Sequence, residues 1–365
     1  MLKSNIKAES LHIARGAYVG RRQDRVEPRY WTLERLQAAG INIQKWDGRC
    51  VVLSLLLQIQ VPQNQRSSRF VIADKHGRII ALFAGPPDGA KDWDQVTERA
   101  TVAMENARKQ CMFKHEQEVH SRGLYPTVGV GSLFGGGSLR PGAIANSKHN
   151  AKALAVLCRN PDILRIAGFG SSMLASYAPR VHLKMKRRLL LLYNRHPSLR
   201  LNFPNSIYPA AHFNFGPNSV CFEHTDFAND PINWCHVTAL GRFDSTKGGH
   251  IILLDLRIAV EFPAGGSAFI PSTIARHANV PIQEGEVRLS FTQFCPGGLL
   301  RWVDAGFQTL KSWEQSDPAA KARFNEQLDD RTRASVLYFS RWDELLDDLQ
   351  EASKPEAAFP ELPDL

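Results

Sequence analysis

Apolar positions change rhythm several times along this chain. The first 45 residues carry many charges and weak periodicity, and predict an extended arm with one short helix near Leu33–Ala38. A β-type stretch follows. Cys50–Gln58 is strongly apolar, and Arg69–Ala73 and Arg78–Phe83 flank Asp74-Lys75-His76-Gly77, a turn sequence that predicts a hairpin. Within Trp93–Phe113, Val96, Ala100, Ala103, Met104 and Ala107 recur at helical spacing. Gly129–Gly137 reads as a glycine-rich loop. No Gly-Lys-Ser/Thr follows it, so it is not a phosphate cradle but a loop packed close to other backbone, near the mouth of a site. Ser147–Arg159 and Pro161–Asn194 read as helices joined at Asn160-Pro161, the second interrupted around Gly168–Ser171.

From Tyr208 the runs shorten and are punctuated by Gly, Pro, Asn and Asp. The expected strands are Ala210–Phe215, Val220–Thr225, Trp234–Leu240, His250–Leu256, Ala259–Phe262, Ala268–Pro271, His277–Val280 and Val287–Phe294. Eight short strands at this spacing predict a jelly-roll or barrel, in an α+β protein. Helices at Arg301–Trp313, Ala319–Leu328 and Ser335–Leu349 follow, and the Pro- and Glu-rich tail Lys354–Leu365 is expected to be disordered. The organisation predicted is an N-terminal α/β extension packing on the core (1–120), a barrel domain with a basic helical insert (121–313), and C-terminal helices with an acidic tail (314–365).

At 365 residues and 43% hydrophobic content the chain can bury a sizeable core. No run approaches the roughly 18–20 apolar residues of a membrane span, and Met1–Glu9 lacks the apolar centre of a signal peptide, which predicts a soluble intracellular protein. Six scattered cysteines (Cys50, Cys111, Cys158, Cys221, Cys235, Cys295) fit buried small side chains in a reducing compartment. The net charge of +9 is unevenly spread. Arg140–Arg200 holds 12 Lys and Arg against one acid, Asp162, whereas the chain from Trp313 onward holds 13 acids against 6 bases. A polyanion-binding middle and a solvated acidic end follow.

The chemistry centres on Phe222-Glu223-His224-Thr225-Asp226. Residues i and i+2 of a strand share a face, so His224 and Asp226 can bind one ion. His277 lies 51 residues on, enough chain for a third ligand on the opposite wall of a barrel. Two His and one carboxylate on one face of an ion leave positions open for a bidentate cosubstrate and O2, the facial triad of non-haem iron(II) oxygenases. Arg288, 11 residues after His277, suits a bidentate grip on the distal carboxylate of a keto acid such as 2-oxoglutarate, and Ser290 shares its strand face.

The motifs His212-Phe213-Asn214-Phe215-Gly216-Pro217, Phe222–Asn229, Lys247-Gly248-Gly249-His250 and Arg301–Phe307 resemble the TET/JBP family. With Ser132–Gly137 and Ser147-Lys148-His149-Asn150 they are most similar to its fungal, mushroom-type branch associated with transposons, over roughly Arg122–Trp313. The resemblance implies a double-stranded β-helix (jelly-roll) core flanked by helices. It also implies oxidation of methylated DNA bases with Fe(II), 2-oxoglutarate and O2. It assigns iron to His224, Asp226 and His277. The cosubstrate goes to Arg288, Ser290, His250 and Asn214, and the flipped base to Asn229, with His212 on the same side. Two departures stand out. The cysteine-rich zinc region of animal relatives is missing, and where they carry a base-contacting His, eight residues after the Arg, this chain has Pro296.

A methyl group on a base is out of reach inside a duplex, so the nucleotide must be extruded at a cost of a few kcal/mol. Phe227 is the expected stacking ring. Arg140, Lys148, Lys152, Arg180, Lys184, Lys186, Arg187 and Arg188 are the expected phosphate contacts. The leading expectation is oxidation of 5-methylcytosine to its hydroxymethyl, formyl and carboxyl forms in duplex DNA, in the nucleus, without a membrane or an obligate protein partner. N6-methyladenine demethylation (alone or as a dual activity), hydroxylation of a non-DNA substrate and a DNA-binding barrel without turnover stay open.

Overall fold

Short apolar strands need partners. In the computed structural model, which describes residues 1–22, 28–48 and 69–354, they find them in two principal sheets. In chain order the strands are β1 (Leu2–Lys3), β2 (Asn42–Gln44), β3 (Arg69–Ala73), β4 (Ile79–Ala84), β5 (Val119–His120), β6 (Gly123–Leu124), β7 (Thr127–Leu133), β8 (Gly142–Ala143), β9 (Ala210–Asn214), β10 (Cys235–Arg242), β11 (Ile251–Leu253), β12 (Ile258–Val260), β13 (Ser267–Ile270), β14 (His277–Asn279) and β15 (Val287–Phe294). The larger sheet runs β1-β3-β4-β13-β10-β15-β9-β7-β8 and the smaller β14-β11-β12-β2, while β5 and β6 form a separate pair.

From β9 onward the chain winds between the two sheets and encloses a cavity lined from both. This is a double-stranded β-helix in an α+β protein. Seven of the eight expected barrel segments contain strands. The exception is Val220–Thr225, which is joined to β14 by backbone bonds rather than as a regular strand: His224 and His277 exchange N–H···O=C bonds of 3.0 Å, and Asn279 N donates to Cys221 O at 3.0 Å. The expected strand His250–Leu256 is regular over β11 and then tightens into a 3-10 turn, Leu254–Leu256, ending at Arg257 with φ 54°.

Alternation along β15 separates two environments. Leu289, Phe291 and Gln293 are buried on the side away from the cavity, and Phe291 packs at 5.3 Å from both Phe203 and Phe213. Arg288, Ser290 and Thr292 face the cavity. The expected hairpin is present as β3 and β4, and β4 pairs with β13, so the N-terminal region continues the larger sheet; β2 likewise extends the smaller one beside β12. Cys50–Gln58 and residues 355–365 lie outside the described residues.

The helices are α1 (Leu33–Ala38), α2 (Trp93–Gln110), α3 (His115–Glu118), α4 (Lys148–Arg159), α5 (Pro161–Tyr177), α6 (Pro179–Arg195), α7 (Gly297–Asp304), α8 (Leu310–Ser316), α9 (Pro318–Glu326), α10 (Leu328–Ser335) and α11 (Leu345–Ser353). α2 buries Val96, Ala100, Met104 and Ala107, and Thr101 Oγ1 accepts the Gly241 N–H at 3.0 Å. The break expected around Gly168–Ser171 falls instead at Ala178, because the residue before Pro179 is driven out of the helical region (φ −138°, ψ 57°). Gly168 and Gly170 stay helical and permit close packing: a Cβ on Gly170 would sit 2.1 Å from His236 Nδ1.

The glycine-rich segment is likewise not a loop throughout. Its first part is β7, where a Cβ on Gly131 would meet Pro209 O at 2.2 Å, while Gly135–Gly137 face open space. The single helix expected over Arg301–Trp313 is two, since Gly306 and Phe307 take positive φ (65° and 62°) between α7 and α8. Ser335–Leu349 is divided by the 3-10 turn Val336–Tyr338 before α11. No helix among the described residues is long and apolar enough to cross a membrane.

Candidate metal centre

His224, Asp226 and His277 converge with one ligand atom each, all within 4.8 Å of one another. His224 Nε2 lies 3.7 Å from Asp226 Oδ1, and His277 Nε2 lies 4.0 Å from Asp226 Oδ2. Both imidazoles are oriented by backbone: His224 Nδ1 donates to Phe222 O at 2.8 Å and His277 Nδ1 to Ala275 O at 3.0 Å. That leaves both Nε2 lone pairs aimed inward, the tautomer a metal ligand needs. Burial and the neighbouring His277 push His224 down to about 3, which keeps it neutral. Burial opposes ionisation of Asp226, but His224, His277 and Arg122 hold its carboxyl below the usual range. Two imidazoles, each with Nε2 facing the centre, and a carboxylate fit a divalent transition metal such as iron(II).

The adjoining cavity, of about 60 Å³, is lined from both sheets by Asn214, Val237, Ile251, Ile270, Ser290 and Thr292 among others. Arg288 enters it at 1% exposure. Its Nη1 donates to Ser219 O, its Nε has no hydrogen-bond partner, and no carboxylate pairs with it among the described residues. A buried cation left without its anion is costly, and a carboxylate supplied by a ligand would satisfy it. Beside it Thr127 donates to Asn214 Oδ1 at 2.8 Å and Asn214 Nδ2 to Ser290 Oγ at 2.9 Å, which orients the Ser290 hydroxyl. Asn214, Arg288 and Ser290 are thus brought together as expected from the chain. His250 is not: it is buried but does not line the cavity, and its Nδ1 has no partner.

Several polar lining residues are not among the site residues expected from the sequence: Arg122, Tyr125, Cys221, Asn279 and Thr292. Arg122, in the turn between β5 and β6, places Nη1 3.8 Å from Asp226 Oδ1 and donates from Nη2 to His212 Nδ1 at 3.3 Å. With Arg288 it makes a cavity of two guanidinium groups, suited to a dicarboxylate. Tyr125 Oη lies 3.0 Å from Cys221 Sγ, and both line the cavity. Only the start of the family resemblance at Arg122 marked this hairpin; no apolar rhythm does.

The residues expected to meet a base do not line the cavity. Asn229 is buried and turned toward Cys235 Sγ, 3.5 Å from its Nδ2. Phe227 has its ring under the Arg22 guanidinium (4.8 Å) and its carbonyl on Gly20 N (2.8 Å), so the N-terminal arm covers it. His212 stacks edge-on against Phe294, and burial then Arg122 lower its pKa to about 3.

The expected phosphate contacts divide. Arg140, Lys148, Lys152 and Lys186 are exposed, and Arg187 is half-buried. Lys184 and Arg188 are internal: Lys184 Nζ pairs with buried Asp230 at 2.9 Å, and Arg188 Nε with Asp304 at 2.8 Å. Arg180 is tied to Asp348 at 2.6 Å. α6 therefore spends these cations on docking to the segment that carries Asp230, to α7 and to α11, a correction to their reading as DNA contacts.

No protein family model matches the chain, and no curated protein does. Among solved structures it is similar to NgTET1 in complex with 5mC DNA, at 17% identity over 70% of this chain and 83% of that one, with a TM-score of 0.43. It is similar to a 2OG-Fe(II) oxygenase family oxidoreductase from Burkholderia pseudomallei, at 15% identity over 60% and 84% of the two chains, with a TM-score of 0.32. A third likeness is to the viral collagen prolyl hydroxylase vCPH of Paramecium Bursaria Chlorella virus-1 in its 2OG complex, at 16% identity over 24% and 57%, with a TM-score of 0.19.

Proposed function

We propose that this chain is an iron(II)- and 2-oxoglutarate-dependent dioxygenase that oxidises 5-methylcytosine in DNA to its hydroxymethyl, formyl and carboxyl forms, on a base flipped out of the duplex. The observation that carries the oxygenase reading is the pairing of a facial set, His224, Asp226 and His277, with an unpaired buried Arg288 in one cavity. When bound, iron(II) with 2-oxoglutarate and O2 supplies C–H hydroxylation coupled to release of succinate and CO2. The chain's own part is to hold the metal through two Nε2 atoms and one carboxylate and to neutralise the distal carboxylate at Arg288, with the Ser290 hydroxyl beside it. Arg122 sets a second positive charge near the ligand carboxylate. The apolar walls Val237, Ile251 and Ile270 exclude water.

The DNA reading is supported by the exposed cations Arg140, Lys148, Lys152 and Lys186 and by the motif resemblance around His224 and Asp226. A nuclear site of action goes with that substrate. N6-methyladenine is the second reading. It is favoured by Pro296, which replaces a base-contacting His and offers no side-chain donor at the start of α7, where it bridges to Asn229.

The test is incubation with iron(II), ascorbate and 2-oxoglutarate on duplexes carrying 5-methylcytosine or N6-methyladenine, with nucleosides read by mass spectrometry and succinate measured in parallel. Oxidised cytosine supports the proposal, and loss of the adenine methyl group alone supports the second reading. Succinate without base oxidation points to a non-DNA substrate. No succinate, or activity retained in Asp226→Ala, overturns the oxygenase reading.

A further inference from the structure

The segment that brings His224 and Asp226 to the site is not a regular strand, so its ladder of backbone bonds is short. A metal site nonetheless needs its ligands held within a fraction of an ångström. Consecutive residues on extended backbone point to opposite sides, so the residue before each ligand histidine points away from the ion: Glu223 before His224 and Arg276 before His277. These two meet. Arg276 Nη1 donates to Glu223 Oε1 at 3.1 Å. Its Nε and Nη2 both reach Asp255 Oδ1, at 2.9 and 2.7 Å, and its backbone N–H donates to Asp255 Oδ2 at 2.7 Å. Asp255 lies in the 3-10 turn directly after β11, whose Leu253 pairs with His277. His12, on the N-terminal arm, lies 4.0 Å from the same Asp255 carboxylate.

We propose that Arg276, with Glu223 and Asp255, is a positioning clamp for the metal centre. One guanidinium ties the segment that carries His224 and Asp226 to the strand that carries His277 and to the turn beneath it. This rests on the reading of His224, Asp226 and His277 as metal ligands. The ordinary alternative is a surface ion pair, worth little. Three features separate the clamp from that alternative. The carboxylate side chains of Glu223 and Asp255 are only 9% and 11% exposed. The planar fork uses three nitrogens, and Arg276 also donates its main-chain N–H. The contact falls on the residues adjoining both ligand histidines, where a shift of the backbone becomes a shift of a ligand atom.

The test is titration of the metal-free full-length protein with cobalt(II), read by calorimetry and by the visible absorption of the bound ion, which reports ligand geometry. Arg276→Gln is expected to weaken cobalt binding by about 10-fold, the low end of what removal of a group bonded directly to a ligand costs, because Arg276 acts through the backbone beside the ligands, and to change the absorption. Glu223→Gln should weaken it as well. The double variant should be little worse than Arg276→Gln, because the two act through one contact. Arg276→Lys should recover part of the loss, since an ammonium can reach one carboxylate but cannot fork between two. Should Arg276→Gln fail to fold, Glu223→Gln decides the matter, because it leaves the Arg276–Asp255 pair in place. Cobalt affinity and absorption equal to the parent protein in the folded variants, even with a lowered melting temperature, would overturn the clamp while leaving the metal site standing. A parent protein that takes up no cobalt would overturn both.

Discussion

Arg288→Met separates a ligand-binding guanidinium from a structural one, because the two roles move stability in different directions. The side chain is 1% exposed and its Nη1 bonds the Ser219 carbonyl, while Nε has no partner. Removing it forfeits one charge-assisted hydrogen bond, about 1.5–3 kcal/mol. It also relieves the burial of an unpaired cation, a penalty of several kcal/mol in real proteins. The two nearly cancel, so the metal-loaded variant should melt within a few degrees of the parent or above it. Cosubstrate binding has no such offset. Two charge-assisted bonds to a carboxylate amount to about 3–6 kcal/mol, which is roughly 10²–10⁴-fold in 2-oxoglutarate affinity. The assay is thermal unfolding of cobalt-loaded protein with and without 2-oxoglutarate, since a ligand at about 100 times its Kd adds about 2.7 kcal/mol of stability. The parent should shift upward and Arg288→Met should not. A variant that melts far below its parent without cosubstrate, beside a parent that 2-oxoglutarate does not stabilise, would refute the argument and make Arg288 a structural tie to Ser219.

Three further outcomes follow from the same contacts. Gly170→Ala should lower the urea midpoint by the equivalent of about 1–3 kcal/mol, because its Cβ would fall 2.1 Å from the ring of buried His236; Gly168→Ala, which meets the Asn205 side chain, should cost less, and equal stability for Gly170→Ala would count against this helix–sheet packing. Burial holds His236 down to about 3, and burial with Lys186 holds His182 down to about 4. The unfolded chain takes up protons at these groups below about pH 6.5, so their contribution is intact above that pH and declines as the pH falls toward the folded values. Each should cost about 2 kcal/mol between pH 7 and pH 5, and His182→Gln should remove its share of that slope in urea titrations at the two pH values. Lys184→Met should destabilise by about 3–5 kcal/mol by stranding buried Asp230, without changing the salt dependence of DNA binding, whereas Lys152→Glu should weaken DNA binding at low salt with little effect on unfolding; the reverse pattern would return Lys184 to the DNA surface.

Much of this site is legible in the chain because it depends on local rules. Short apolar runs punctuated by Gly, Pro, Asn and Asp located β9, β10 and β15, and a strand's period of two puts His224 with Asp226 and Arg288 with Ser290 on shared faces. The helix α2 was legible from apolar positions recurring at helical spacing, and Val96, Ala100, Met104 and Ala107 are its buried face. What the tertiary structure alone decided is which distant group meets which. Arg122 joins the cavity from a short hairpin, Lys184 and Arg188 are neutralised by Asp230 and Asp304, and Gly168 and Gly170 serve as close-contact points against Asn205 and His236 within a continuous helix. It also decided that the ligand-bearing segment is irregular and is tied from behind by Arg276. A one-dimensional pattern reports which face of an element is apolar. Whether a charge is free for a ligand or consumed by a partner depends on contacts between residues far apart in the chain, such as 184 with 230 and 122 with 226, and no local periodicity encodes them.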